Sequence, residues 1–353
     1  MEQVFDGHND VLLRLWLNAK AGGDPVREFT DGTFSGHIDG PRAKAGGLTG
    51  GLCAIFVPSG KLVLEKPDKS GRYHTPLSEP LDRQISLDIA IEQAAIAWRL
   101  HNHNAWSLCR STTDIDSAVA KGSFAAVLHM EGCEPLDREL AALELFYAAG
   151  LRSLGPVWSR NNIFGHGVPF AYPHGPDAGP GLTDAGFDLI RACNQLGILI
   201  DLSHLTEKGF WDVAKSTEQP LVASHSNAHA LTPVARNLTD RQLDAIRESN
   251  GLVGLNFAVT MLRPDGGDNV TTPLENMVRH VDYMVERMGI KCVAIGSDFD
   301  GASIPAAIGN AEGLPVFVDA LKRAGYANSE LAMICRENWF RILRWAWKEE
   351  APD

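Results

Sequence analysis

The chain lacks most features that would place it in a specialised class. No window approaches the roughly 18 continuous apolar residues of a membrane-spanning helix, so no membrane partner is expected. Basic residues are few beside the acids, 32 against 44, for a net charge of -12. That balance repels phosphate backbones and anionic lipid unless a local basic patch offsets it, and none is visible, so no nucleic-acid partner is expected. The cysteines Cys53, Cys109, Cys133, Cys193, Cys292 and Cys335 form no CxxC pair and no spacing typical of a disulfide or zinc framework; reduced, mostly buried thiols are expected. The opening MEQVFDGHND has no basic segment leading into a long apolar stretch, so a cleaved secretory signal is not expected and the default location is cytoplasmic. Low-complexity tracts, fixed-period repeats and long linkers are absent. The charged end Lys348, Glu349, Glu350 reads as a solvated tail.

What remains is an ordinary globular composition, 44% hydrophobic and 22% charged over 353 residues, long enough for a sizeable core in one large domain or two smaller ones. Short apolar runs that read as buried parallel strands recur eight times: Val4 to Gly7, Gly51 to Val57, Phe124 to Met130, Leu151 to Val157, Ile198 to Leu202, Leu221 to Ser224, Leu252 to Phe257 and Cys292 to Gly296. Helical periodicity falls between and after them, near Gln84 to Cys109, Leu136 to Ala149, Asp184 to Leu196, Glu207 to Ser216, Thr239 to Glu248, Leu274 to Met288, Val316 to Arg323 and Ser329 to Lys348. Strand–helix repetition with right-handed crossovers gives a parallel sheet, and eight units close it into an α/β fold of the (β/α)8 TIM-barrel type spanning 1–353 as one domain. An open doubly wound sheet is the alternative. Lys61 to Pro80 reads as a long loop at the substrate rim.

The barrel is favoured because metal-type residues fall at the ends of strands, where barrel chemistry sits. The first strand ends in His8-Asn9-Asp10, which points His8 and Asp10 the same way from extended chain, although HxD also suits an ordinary turn. Glu131 stands at the tip of the third strand, where a carboxylate can bridge two cations or simply form a cap or ion pair. The fifth and sixth strands end in Ser-His, at His204 and His225. The eighth carries Asp298 at its tip, the candidate general base, with Asp300 two residues on in a structural role.

Imidazole and carboxylate both suit zinc, and five such ligands exceed one tetrahedral site. With Glu131 bridging, His8 and Asp10 complete one Zn2+ and His204 with His225 the other, leaving a shared position for hydroxide. Two metals roughly 3.5–4 Å apart lower the pKa of that water and polarise a carbonyl. Asp298 would take the water's proton and pass it to a leaving amine.

The segments FDGHNDVL, VLHMEG, IDLSHLTEKGFWDV, ASHSNAHALTPVARN and IGSDFDG together resemble the membrane (renal) dipeptidase family of zinc metallopeptidases, within the amidohydrolase superfamily. The resemblance spans nearly the whole chain. It implies hydrolysis of dipeptides, including L-Xaa-D-Xaa, at a binuclear zinc centre held by the same five residues, with Asp298 in proton transfer and, by analogy, a homodimer. It also implies that Arg236, followed by Asn237, holds the substrate carboxylate, for which a guanidinium fork is suited. One position departs from the family pattern. Trp158 falls where a carbonyl-polarising His is usual; it can donate an indole N–H but cannot ligate zinc. Polarisation would then rest on the metals or on a neighbour such as Arg160, Asn161, Asn162 or His166, and hydrolysis of a related small amide, N-acyl amino acid or lactone is the alternative activity.

Overall fold

Eight parallel strands form at the eight apolar runs: β1 (Val4–Asn9), β2 (Leu48–Phe56), β3 (Ala125–Glu131), β4 (Leu151–Gly155), β5 (Leu199–Ile200), β6 (Val222–Ala223), β7 (Leu252–Leu255) and β8 (Val293–Ile295). These come from a computed structural model that describes residues 2–349 except 33–34 and 61–64. β1 to β5 pair in sequence order, as do β6 to β8. Two single bridges join these arcs into a ring: Asp201 with Val222 between β5 and β6, and Asn9 with Phe299 between β8 and β1. The result is a (β/α)8 barrel.

Period-two alternation points Phe5, Leu52, Val127, Leu199, Val222, Leu252 and Ala294 into one buried cluster at the strands' N-terminal end. Trp339, Phe340, Ile342 and Leu343 of the last helix (Asn338–Ala346) join that cluster and plug the floor. Above it the interior narrows. A Cβ on Gly254 or on Gly296 would overlap the Ser224 carbonyl oxygen, so both positions require glycine for the strands to approach.

Three of the expected helices have the expected bounds, Asp184–Leu196, Glu207–Ser216 and Leu274–Met288. Others shift for local reasons. The helix near 136–149 runs only over Ala141–Ala148, because Asp137 accepts from the Ala141 and Ala142 amides and sets its start. The last expected helix is broken by a π-helical stretch at Met333–Glu337. Beyond those expected, α1 (Val11–Lys20) follows β1 directly and packs beside α4 (Arg83–Asn102), with α2 (Pro25–Asp31) and α3 (Gly40–Gly46) between them in the chain. Thr112–Ala120 is a further helix, and Glu349 accepts from the Thr112 amide at 2.8 Å. The C-terminal end is therefore docked at Glu349 rather than simply solvated; Glu350 lies outside the described residues.

The expected rim loop also has structure. Tyr73–Thr75 pairs antiparallel with Phe170–Tyr172, which belongs to the excursion after β4; its first residues, 61–64, lie outside the described set. All six cysteines are free and buried. Among the described residues, no helix is long and apolar enough to cross a membrane.

Candidate metal centre

The C-terminal ends of β1, β3, β5, β6 and β8 deliver the sequence-nominated residues to one place. On β3, residues 127, 129 and 131 share a face, which lifts Glu131 from the core layer to the cavity floor. Glu131 Oε1 lies 3.5 Å from His8 Nε2, 3.1 Å from His204 Nε2 and 3.4 Å from His225 Nε2. Asp10 Oδ2 is 3.4 Å from His8 Nε2. The ring nitrogens of His204 and His225 stand 3.1 Å apart, and His8 stacks on His225 with centroids 3.8 Å apart. All five residues are buried.

Two local conformations hold this convergence. His204 has φ 70 and Asp298 φ 59, left-handed values that cost energy outside glycine and persist where the surroundings enforce them. The imidazoles are oriented from behind. Ser159 Oγ lies 2.9 Å from His204 Nδ1, and Ser224 Oγ lies 2.8 Å from His225 Nδ1 while donating to Asp201 Oδ2 at 2.6 Å. His129, two residues before Glu131, packs edge-on to His8 and bonds Ser153. Asp201, Ser159 and Ser224 escape a reading based on ligand types alone. The signal for two of them was present, since Asp201 precedes His204 in IDLSH and Ser224 precedes His225 in ASH.

The electrostatics are those of a cation site. Burial alone would lower the His8 imidazole, but Glu131 and Asp10 reverse this and raise it to about 10. His204 and His225 are pushed well below the ordinary range by burial, reinforced by Arg236 and His8. Burial raises Glu131 and Asp298, with Asp10 adding to both and His8 opposing. Carboxylates that raise a buried imidazole such as His8 this far call for positive charge between them. The donor set fits: His8, Asp10, Glu131 and Glu131, His204, His225 each bring ligand atoms within 4.8 Å of one another, and His8 with Asp201 and His225 does so as well. His8 Nε2 and Asp10 Oδ1 are buried with no hydrogen-bond partner, the kind of polar atom a metal would satisfy.

A cavity of about 1010 Å³ opens above the centre, lined by Asp10, Glu131, His204, Asp298, Arg236 and Trp158 among others. Asp298 is half-buried and its Oδ2 accepts from Asn256 Nδ2 at 2.9 Å. Arg236 is buried, donates to the His225 carbonyl at 3.2 Å and to the Ser226 hydroxyl at 3.5 Å, and lines the cavity. Trp158 packs against Phe56, Phe170 and His204, with centroids 5.1, 5.6 and 5.8 Å away.

The neighbours considered as substitutes for the missing histidine are engaged elsewhere. Arg160 is fully buried and donates to Glu134, Ser59 and the Val57 carbonyl. Asn161 accepts from Gly167, Asn162 donates to the Pro156 carbonyl, and His166 bonds the Gly181 carbonyl. Asp300 pairs with Arg14 and His37 in the structural role the sequence suggests, while also lining the cavity wall.

A barrel whose strand tips gather histidines and carboxylates beneath a deep cavity defines a metal-dependent hydrolase. The chain belongs to the membrane dipeptidase family, peptidase family M19, whose model matches residues 1–351. It is accordingly a metallopeptidase, a dipeptidase of that family. A metallopeptidase from Rhodobacter sphaeroides, solved with a phosphinate mimic of the dipeptide L-Ala-D-Ala, is 44% identical with a TM-score of 0.93, covering 98% of this chain and 99% of that one. An uncharacterised Klebsiella pneumoniae protein of the pqqA 5' region is 47% identical over 265 residues, 74% of this chain and 98% of its own length. The dipeptidase tcpJ of Claviceps purpurea is 27% identical over 344 residues, 96% of this chain and 76% of the relative.

Proposed function

We propose that the chain is a zinc dipeptidase in which His8, Asp10, Glu131, His204 and His225 would hold two Zn2+ ions, Glu131 being common to both sets of ligand residues. The observation that carries this reading is Glu131 Oε1, within 3.5 Å of three imidazole nitrogens drawn from β1, β5 and β6. Such a carboxylate, with Asp10 and three buried imidazoles around it, matches the oxygen and nitrogen donor set that zinc takes. When bound, the two cations supply Lewis-acid polarisation of the scissile carbonyl and acidify the attacking water.

The chain's own groups do the rest. Arg236 takes the substrate's terminal carboxylate through the guanidinium N–H groups that Ser226 and His225 do not use, fixing the peptide bond over Glu131. Asp298, steadied by Asn256, accepts the proton of the attacking water and returns it to the departing amine. Trp158 closes one wall with Phe56 and Phe170, excludes water, and offers its indole N–H to the carbonyl oxygen as it gains charge. The relative solved with an L-Ala-D-Ala mimic supports including L-Xaa-D-Xaa dipeptides among the substrates.

The test is a panel of L-Xaa-L-Xaa and L-Xaa-D-Xaa dipeptides, with and without chelator, beside metal analysis of gently purified protein. Chelator-sensitive turnover and about two zinc ions per chain are expected. No turnover of any dipeptide would sink the proposal, and fewer than about one zinc per chain would remove its binuclear part. Trp158 at the usual histidine position favours one second reading, hydrolysis of a related small amide, N-acyl amino acid or lactone. Faster turnover of substrates without a free amine than of dipeptides would select it.

A further inference from the structure

The cavity's volume, about 1010 Å³, stands at the upper end for small-molecule sites and leaves room for a large side chain. Arg236 lies across the ring from an apolar stretch of the lining on α1 and α4. Arg236 follows β6, and in an eight-strand ring β2 stands opposite β6. The elements that follow β1 and β2 are α1 and α4, and they contribute Leu13, Trp16, Leu17 and Ile89 to the cavity lining. Leu17 is 52% exposed there, although α1 buries Val11, Leu12 and Leu15 on its other side. Trp16 is held rigid: its indole donates to Glu92 at 2.6 Å, and Lys20 pairs with Glu92 while standing over the Trp16 ring. A fixed aromatic with exposed aliphatic neighbours at a cavity mouth is the form of a binding surface rather than of a core.

We propose that this arc is a subsite for the substrate's amino-terminal side chain and selects bulky apolar residues of the leucine and phenylalanine class. The inference rests on Arg236 taking the carboxylate, because a dipeptide anchored there crosses Glu131 and extends its amino-terminal residue toward α1 and α4. The acidic groups of the cavity do not redirect it to basic side chains. The Asp300 carboxylate is engaged by Arg14 and by the His37 backbone amide, and Asp298 by Asn256, while Asp268 follows β7 rather than β1 or β2.

The experiment holds the carboxyl-terminal residue constant and varies the amino-terminal one through Gly, Ala, Leu, Phe and Lys. It compares kcat/KM for wild type, Leu17→Asp and Ile89→Asp. Calorimetry of uncleavable reduced-amide analogues of the same series gives a second readout, independent of turnover. Leu and Phe should exceed Gly by at least about tenfold, and either substitution should cut the Leu-to-Gly ratio about tenfold in both turnover and affinity. Leu145→Asp, at a 74% exposed position outside the cavity lining, should preserve the ratio. Equal turnover across the series, a preference for Lys, or an unchanged ratio in both Asp variants overturns the subsite. Absence of turnover on every dipeptide strikes the dipeptidase reading instead, and the analogue affinities still decide the subsite.

Discussion

Replacing Asp298 with asparagine removes the proposed proton carrier while keeping its shape. The residue sits at φ 59, a left-handed conformation that asparagine tolerates better than most residues, so the strand tip keeps its course. The Asn256 amide that donates to Oδ2 still meets an oxygen when the new side chain turns its carbonyl toward it. What is lost is the carboxylate's negative charge and its capacity to take and return a proton. Proton transfer by a positioned group contributes about 10²–10⁴-fold, which corresponds to about 3–5 kcal/mol of transition-state stabilisation. The assay is steady-state kcat on one good dipeptide at saturating zinc, with metal content and thermal midpoint measured on the same preparations. A fall in kcat of at least about 100-fold, with both controls at wild-type values, is expected. A fully metallated variant within about threefold of wild type would refute the assignment. Joint loss of metal and activity would instead make Asp298 part of the metal-binding set.

Arg236→Lys should raise KM for free dipeptides by at least about tenfold, because a point charge replaces a bidentate fork, and should leave dipeptide amides little affected; equal effects on both would remove the carboxylate role. Trp158→Phe keeps the aromatic wall but deletes the indole donor, so kcat should fall about tenfold or more with little change in KM; an unchanged kcat confines Trp158 to packing. Chelation should lower the thermal midpoint, and zinc at about 100 times its Kd should restore about 2.7 kcal/mol; equal midpoints with and without metal would count against a structural share for the ions. His280 is buried, accepts from the Ala228 amide and is pushed down by burial to about 4. Since the unfolded imidazole titrates near 6.5, the unfolded chain binds more protons between these values, and stability should rise as pH goes from 4 to 6.5, by up to about 3 kcal/mol. Urea unfolding of wild type and His280→Asn at pH 4.5 and 7.5 tests this, and an identical pH slope in both contradicts it.

The barrel was legible because strands buried on both faces must be apolar throughout, and eight such runs stood between polar stretches. β5 and β6 are only two residues each, shorter than their apolar runs, because the chain leaves the ladder near Asp201 and Ser224 to present His204 and His225. Pairing of Tyr73–Thr75 with Phe170–Tyr172 could not be read, since nothing local specifies a partner that far along the chain. α1 could have been found: Val11, Leu12 and Leu15 repeat at helical spacing, but the helix begins immediately after Asp10 and the metal-type motif masks its start. The metal-type residues were readable because strand ends fix where side chains go. Ser159 and Asn256 were not, because their role lies in which atom they touch rather than in what they could ligate.

The ring is closed at only two places by single bridges, Asp201 to Val222 and Asn9 to Phe299, and the site residues come from both sides of both seams. His204 and His225 flank one seam; Asp298 and His8 flank the other. No fragment that ends before residue 298 therefore contains the whole site. During synthesis all five metal-type residues have emerged by residue 225, but the complete site waits for residue 298, because only the Asn9–Phe299 seam brings Asp298 beside His8. Afterwards, anything held jointly by His204 and His225 acts as a clasp across one seam, and anything held jointly by His8 and Asp298 as a clasp across the other.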